Sequence, residues 1–238
     1  MDTPSKKFPQ SQMSVSMTPS EIYQSAYGDL APEIIERARK KQVNNPILDH
    51  MRVPDYSEQS MESPVVVRPS TQYDFANAYI TKDDLRTINV KPNLYGSGDD
   101  VKDKNLSLLM HEIQHSIGEG NTPGTKVIPQ KPVDTLDERQ MLRFLAESSD
   151  PQDLHAVSSA ELPAYIAQLK LQRFQDSGKY PSVDTNEELR SHLDELRSKY
   201  KQDQYIRDAI EFLNQSPNAV DFWNAVARRN VNLSGLLA

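Results

Sequence analysis

The chain has 238 residues, a formal net charge of −7, 16 prolines against 8 glycines and no cysteine. This acidic balance argues against nucleic acid as a partner, because affinity for nucleic acid depends on neutralising phosphates with Lys and Arg. Without cysteine, disulfides and thiolate zinc sites are excluded, so any metal must be held by histidines and carboxylates. No segment has the apolar pattern of a signal peptide or of a membrane span. We therefore expect a soluble protein with no membrane partner, located in the cytoplasm or carried in a viral particle.

The N-terminal part of the chain is predicted to be an arm with short docking helices. Residues 1–17 are polar and lack periodicity, which indicates a flexible or extended arm. Thr18 and Glu21 form the capping box of a first helix. The stretch 31–42 favours a second helix with too few apolar residues to stand alone, and the proline-punctuated stretch 44–64 is typical of a linker.

The order of the remaining elements predicts an α+β fold. "PVVVRPS" is a short β-branched run, and "AYITKDDLRTINV" has the pattern of a hairpin with a turn at its Lys-Asp-Asp. Helical patterns follow from residue 104 onward, and those of the last third are charged and amphipathic. Strands followed by helices favour α+β over an alternating parallel-sheet fold.

The stretch "SLLMHEIQHSIGEG", residues 107–120, holds two histidines four residues apart. On a helix, His111 and His115 lie on one face and can share a tetrahedral ion, while Glu112 projects beside them without ligating it. The opposite face is apolar at helical spacing, and consists of Leu106, Leu109, Met110, Ile113 and Ile117. A solvated helix would carry further charges on the histidine face, and this one does not. We therefore interpret the stretch as a helix that packs on a core and presents the histidines.

"LLMHEIQHSI" resembles the active-site helix of the zincin metallopeptidases, and the resemblance extends over residues 64–176. It implies a small twisted, mainly antiparallel sheet before this helix, and zinc as the cofactor. The metzincin subclass is disfavoured because Asn121 occupies its next ligand position and Met141 lies within a helical pattern. The gluzincin form requires a glutamate on a later helix. Glu161, in "AELPAY", resembles that ligand in HExxH peptidases of phages and mobile elements.

The resemblance also implies a role for each residue of the site. His111, His115 and Glu161 would hold Zn²⁺, and Glu112 would activate the zinc-bound water as general base. Tyr165, one turn after Glu161, is a candidate donor to the oxyanion. Three residues remain alternatives to Glu161 as the third ligand, namely Glu147, Asp150 and His155; His155 and Tyr180 are also alternatives to Tyr165. A peptide substrate would add as a strand to a sheet edge, for which "RTINV", residues 86–90, is the candidate.

Three regions and two functions follow from these patterns. We expect an N-terminal arm with docking helices at 1–63, a zincin-like domain at 64–180 and a helical extension at 181–238. The first function is a zinc metalloendopeptidase acting on a protein or peptide substrate. The alternative is a structural or assembly protein of a larger complex, such as a virion component, with a vestigial zincin-like domain. The arm and the C-terminal helices would then bind protein partners.

Overall fold

The computed structural model describes residues 14–40, 54–72, 76–81, 84–96, 105–118, 161–216 and 219–224. In these ranges the fold is α+β, as predicted, with a four-stranded mixed sheet and a larger helical part. The strands are β1 (Val15–Met17), β2 (Val65–Pro69), β3 (Ala78–Thr81) and β4 (Asp84–Val90). The helices are α1 (Pro19–Tyr27), α2 (Ala31–Lys40), α3 (Glu58–Glu62), α4 (Pro92–Tyr95), α5 (Leu106–Gly118), α6 (Glu161–Ser177), α7 (Asn186–Lys199), α8 (Gln204–Gln215) and α9 (Ala219–Asn224). None of these helices combines the length and the apolarity needed to cross a bilayer.

The sheet has the strand order β1-β2-β4-β3. β3 and β4 pair antiparallel, which confirms the predicted hairpin, while β2 and β4 pair parallel. The prediction that residues 86–90 form an edge is wrong, because they belong to β4, which has a neighbour on each side. The buried run from Thr87 to Val90 is typical of such a central strand. Among the described strands, β1 and β3 are the edges.

The end of the predicted N-terminal arm is a strand of the sheet. Residues 15–17 form β1, which pairs antiparallel with β2 in the register Val15↔Val67 and Met17↔Val65. These three residues of the predicted flexible or extended arm are therefore extended and paired with the sheet, while residues 1–13 lie outside the described ranges. Met17 is buried against the core. A three-residue strand with one buried side chain is too short to give a periodic signal.

The first two helices begin and dock as local sequence signals indicate. The Thr18 hydroxyl accepts from the Glu21 amide at 3.1 Å, and the Glu21 carboxylate accepts from the Thr18 amide at 2.7 Å. This confirms the predicted capping box. α2 buries Ile35 and Ala38 in the core of this chain, so its partner is the protein itself.

The stretch predicted as a linker also contributes to the core. It contains α3, and the side chains of Tyr56 and Met61 are almost fully buried. One continuous cluster of buried residues extends from Met17 to Trp223. It therefore draws side chains from all three of the predicted regions, including the four α5 positions predicted to face a core, Leu109, Met110, Ile113 and Ile117.

A buried arginine joins α6 to the loop and helix that follow it. Arg173 is only 3% exposed. Its guanidinium donates to the carbonyl oxygens of Tyr180 at 3.0 Å and Ser182 at 2.8 Å, and to the Glu188 carboxylate. Each of the three acceptors lies C-terminal to α6 in sequence, so one side chain fixes the turn into α7.

His192, on α7, gives the fold a predicted sensitivity to acid. Its ring packs against Trp223 with centroids 5.9 Å apart, and its Nε2 has no hydrogen-bond partner among the described residues. Burial, followed by the positive charge of Arg173, lowers the pKa of His192 to about 4. Between pH 6.5 and pH 4 the unfolded chain therefore binds a proton that the folded chain does not. Stability is lost as the pH falls through this window.

We expect the free energy of unfolding to fall by about 1–2 kcal/mol from pH 7 to pH 5 through this histidine alone. Urea denaturation of the parent and of His192→Gln at both pH values measures the effect. The variant should lose less stability than the parent on acidification. Equal losses in the two proteins would show that His192 does not carry the proton linkage.

Candidate metal centre

Three side chains from two helices meet where α5 packs against α6. His111 and His115 lie one turn apart on α5, and Glu161 lies in the first turn of α6. The Glu161 Oε2 atom lies 3.3 Å from the His111 Nε2 and 3.5 Å from the His115 Nε2. The two Nε2 atoms are 3.4 Å apart. The structure thus brings together the three residues predicted as metal ligands.

The spacing of these three atoms fits a zinc ion. Zinc bonds to imidazole nitrogen and carboxylate oxygen are about 2.0–2.2 Å long, so neighbouring ligand atoms of a tetrahedral site lie roughly 3.3–3.5 Å apart. The three observed separations, 3.3, 3.4 and 3.5 Å, fall in this range. The ligand types fit as well, because zinc is commonly held by two imidazoles and a carboxylate. A shared cation would satisfy all three converging atoms at once.

Glu161 is held as a carboxylate in this position. Burial on its own would raise the pKa of Glu161, but hydrogen bonds to His111 and His115 outweigh burial and hold the pKa well below its usual range. The ionised form is the one that binds metal. Pro163 is compatible with this first turn of α6, because amide groups at the start of a helix have no partner within the helix.

Glu112 is also buried, at 5% exposure, and directly follows His111 on α5. Burial raises the pKa of Glu112, and the two neighbouring histidines oppose that rise. A carboxylate with a raised pKa accepts protons more readily near neutral pH, which suits a general base.

Tyr165 packs directly on His111, one of the two histidines. Its ring centroid lies 4.6 Å from that of His111, with an interplanar angle of 70°. Burial, and then the charge of Glu161, raise the pKa of Tyr165 far above its ordinary value. The hydroxyl therefore stays protonated and can donate a hydrogen bond, while the ring limits the rotation of the His111 imidazole.

Of the residues predicted as alternatives for the site, only Tyr180 lies in the described ranges. The Tyr180 ring stacks against the Arg37 guanidinium at 4.5 Å, and its carbonyl accepts from Arg173. Those contacts with two arginines give Tyr180 a structural role. The other candidates, Glu147, Asp150 and His155, lie outside the described residues, as do Asn121 and Met141.

A buried polar network supports α5 and was not predicted from the sequence. The Tyr23 and Tyr56 hydroxyls lie 2.8 Å apart, and both bond to the Gln114 side chain, at 3.2 and 3.3 Å. Gln114 directly precedes His115, so this network fixes the rotation of the helix at the site. Tyr23 and Gln114 are 91 residues apart in sequence, and no local pattern indicates that they meet.

Comparison of the chain with profiles of known protein families, with curated proteins and with solved structures finds no match. The function must therefore be inferred from the chemistry of the triad and of the residues around it. A cluster of two imidazoles and one carboxylate in which His111 is buried and the other two are partly buried, with the buried carboxylate of Glu112 beside it, is a specific starting point for that inference.

Proposed function

We propose that the protein is a zinc-dependent metallopeptidase of the zincin type, with His111, His115 and Glu161 as the zinc ligands. The observation that carries this proposal is the convergence of three donor atoms at separations of 3.3–3.5 Å. Glu161 reaches the histidines from a different helix, so the cluster depends on the packing of α5 against α6 and not on local sequence alone.

The set of three ligands that converge among the described residues supports a catalytic site over a purely structural one. Structural zinc sites are closed by four protein ligands, whereas catalytic sites have three and keep the fourth position open. When bound, zinc lowers the pKa of a water molecule in the open position and polarises a carbonyl oxygen. Glu112 accepts a proton from the attacking water and delivers it to the leaving amine nitrogen. The Tyr165 hydroxyl donates to the oxygen of the scissile carbonyl.

The sheet offers an edge for an extended peptide. β3 pairs with β4 on one side only among the described strands, and it packs on α5. A substrate that adds to β3 through main-chain hydrogen bonds would run beside the histidine helix. β3 therefore replaces residues 86–90 as the proposed substrate edge.

The alternative function, a structural or assembly protein, has less support. A vestigial site would place a hydrophobic residue or a lysine at the third ligand position, and Glu161 is neither. The helices proposed as docking surfaces also bury their apolar faces in this chain, as Ile35 of α2 and Trp223 of α9 illustrate. These side chains are then not available to a partner.

We expect natively purified protein to contain one zinc ion per chain, measured by inductively coupled plasma mass spectrometry. His111→Ala and Glu161→Ala should each weaken zinc binding by at least about 100-fold, because two ligands cannot complete the site. Glu187→Ala, on an exposed position of α7, is the matched control and should keep the parent affinity. Protein that neither carries zinc nor binds it when added would contradict the proposal.

A further inference from the structure

α9 is a helix of six residues that is docked mainly by its last three. The side chains of Phe222, Trp223 and Asn224 are buried in the core. The Trp223 indole N–H donates to the carbonyl oxygen of Pro181 at 2.8 Å. The Asn224 amide group donates to the Val183 carbonyl at 2.7 Å and accepts from the Val183 N–H at 3.2 Å. These contacts tie α9 to the loop after α6, and a unit this small can open without the rest of the fold.

His192 of α7 packs against this helix. Its ring and the Trp223 ring lie 5.9 Å apart between centroids, with 79° between their planes. The His192 Nε2 is buried and has no hydrogen-bond partner among the described residues. The Nδ1 lies 4.0 Å from a carboxylate oxygen of Glu195, a side chain that is 77% exposed. The neutral ring can carry its single proton on Nδ1, so that the buried Nε2 bears no N–H.

A second proton on His192 would place a charged N–H group where the described residues offer no acceptor. Charged groups face the ring from three elements, namely Arg173 and Asp176 of α6, Lys179 of the loop after α6, and Glu188 and Glu195 of α7. α9 contributes the Trp223 ring. Burial, followed by the positive charge of Arg173, outweighs the attraction of the carboxylates and lowers the pKa of His192 to about 4.

We propose that protonation of His192 releases α9 from the core while the other helices stay folded. The charged imidazole gains water as a hydrogen-bond partner only after Trp223 has moved away, whereas the neutral imidazole is accommodated in the docked state. α7 has 14 residues and buries three leucines, so the six-residue α9 is the partner that is displaced more easily. This local change is distinct from the loss of global stability in acid, and it does not depend on the proposed zinc chemistry.

Proton linkage gives the size of the effect. With α9 released, His192 is solvated and has an ordinary pKa of about 6.5. The equilibrium constant for release should then rise about 20-fold between pH 7 and pH 5. Trp223 is the only tryptophan of the chain, so its indole N–H gives a single signal that needs no further assignment. The hydrogen bond to Pro181 protects that N–H from exchange as long as α9 is docked.

Hydrogen exchange of the Trp223 indole N–H, followed by NMR on the full chain, tests the proposal. Its protection factor, relative to free N-acetyltryptophanamide at the same pH, should fall about 20-fold from pH 7 to pH 5 in the parent. The protection should not change between 0 and 1 M urea, because a local opening exposes little surface. In His192→Gln it should be nearly the same at both pH values. Glu187→Gln, at an exposed position of α7, is the matched control and should behave as the parent does.

Two results would overturn the proposal. If urea lowered the indole protection of the parent as steeply as it lowers global stability, measured by circular dichroism, α9 would open only with the whole fold. This measurement needs no variant. If the protection in His192→Gln fell as much with pH as in the parent, a group other than His192 would control the release.

Discussion

Replacement of Glu112 by glutamine is expected to lower peptide hydrolysis by about 100- to 10,000-fold, the range usual for loss of a general base, while one zinc ion per chain is retained. Glutamine has nearly the same size and can occupy the same buried position, but it cannot accept the proton of the attacking water. Glu112 is not among the three converging ligand atoms, so metal binding should be unaffected. Cleavage of a fluorogenic peptide library and zinc content, measured on the same preparation, check both halves of the prediction.

Glu187→Gln is the matched control for this substitution, because it makes the same chemical change at an exposed position of α7. It should hydrolyse peptides at the parent rate. If Glu112→Gln also kept the parent rate, Glu112 could not be the base. If it lost zinc together with activity, Glu112 would have to be reassigned as a ligand or as a residue that supports one.

Arg173→Met is expected to lower the free energy of unfolding by about 3 kcal/mol, because it removes the donors of a buried hydrogen-bonded ion pair. Methionine fills similar space but leaves the carbonyl oxygens of Tyr180 and Ser182 without their donor. Water can replace the hydrogen bond that the Glu188 carboxylate loses, because the Glu188 side chain is 40% exposed. This partial exposure keeps the expected cost at the low end for a buried pair. Urea denaturation at pH 7 measures it.

The control for this effect is Arg197→Met on α7. Arg197 pairs with Glu211 at 3.1 Å, but its side chain is 58% exposed, and exposed pairs contribute about 0–1 kcal/mol. A loss as small in Arg173→Met as in Arg197→Met would contradict the assigned role of Arg173. Arg173→Lys should remain well below the parent stability, because a single ammonium group cannot reach three acceptors in the geometry of a guanidinium.

Local patterns in the sequence were sufficient to predict the elements that are stabilised by contacts between neighbouring residues. The capping box at Thr18 and Glu21, the hairpin of β3 and β4, and the amphipathic pattern of α5 all depend on residues a few positions apart. The histidine pair belongs to this group, since the pitch of a helix alone places His111 beside His115. The approach of Glu161 to that pair depends on contacts between helices, and it was expected from the zincin resemblance and not from local spacing.

The features that could not be predicted depend on contacts between distant parts of the chain. The parallel pairing of β2 with β4 places residues 86–90 inside the sheet, and alternation of side chains along a strand carries no information about its neighbours. Arg173 follows the polar pattern of an exposed helix position, and its acceptors become apparent only once the turn after α6 is formed. The hydroxyls that hold Gln114 likewise come from α1 and from the stretch before α3.

The packing of α5 against α6 has a consequence for how the protein is made. His111 and His115 leave the ribosome before Glu161, and α5 is also held by Tyr23 and Tyr56 from the earlier part of the chain. A nascent chain that ends before α6 can therefore display the histidine pair without its third ligand. If the three side chains hold zinc as proposed, the site is completed only when α6 docks, and the proposed peptidase would be inactive until that point of its synthesis.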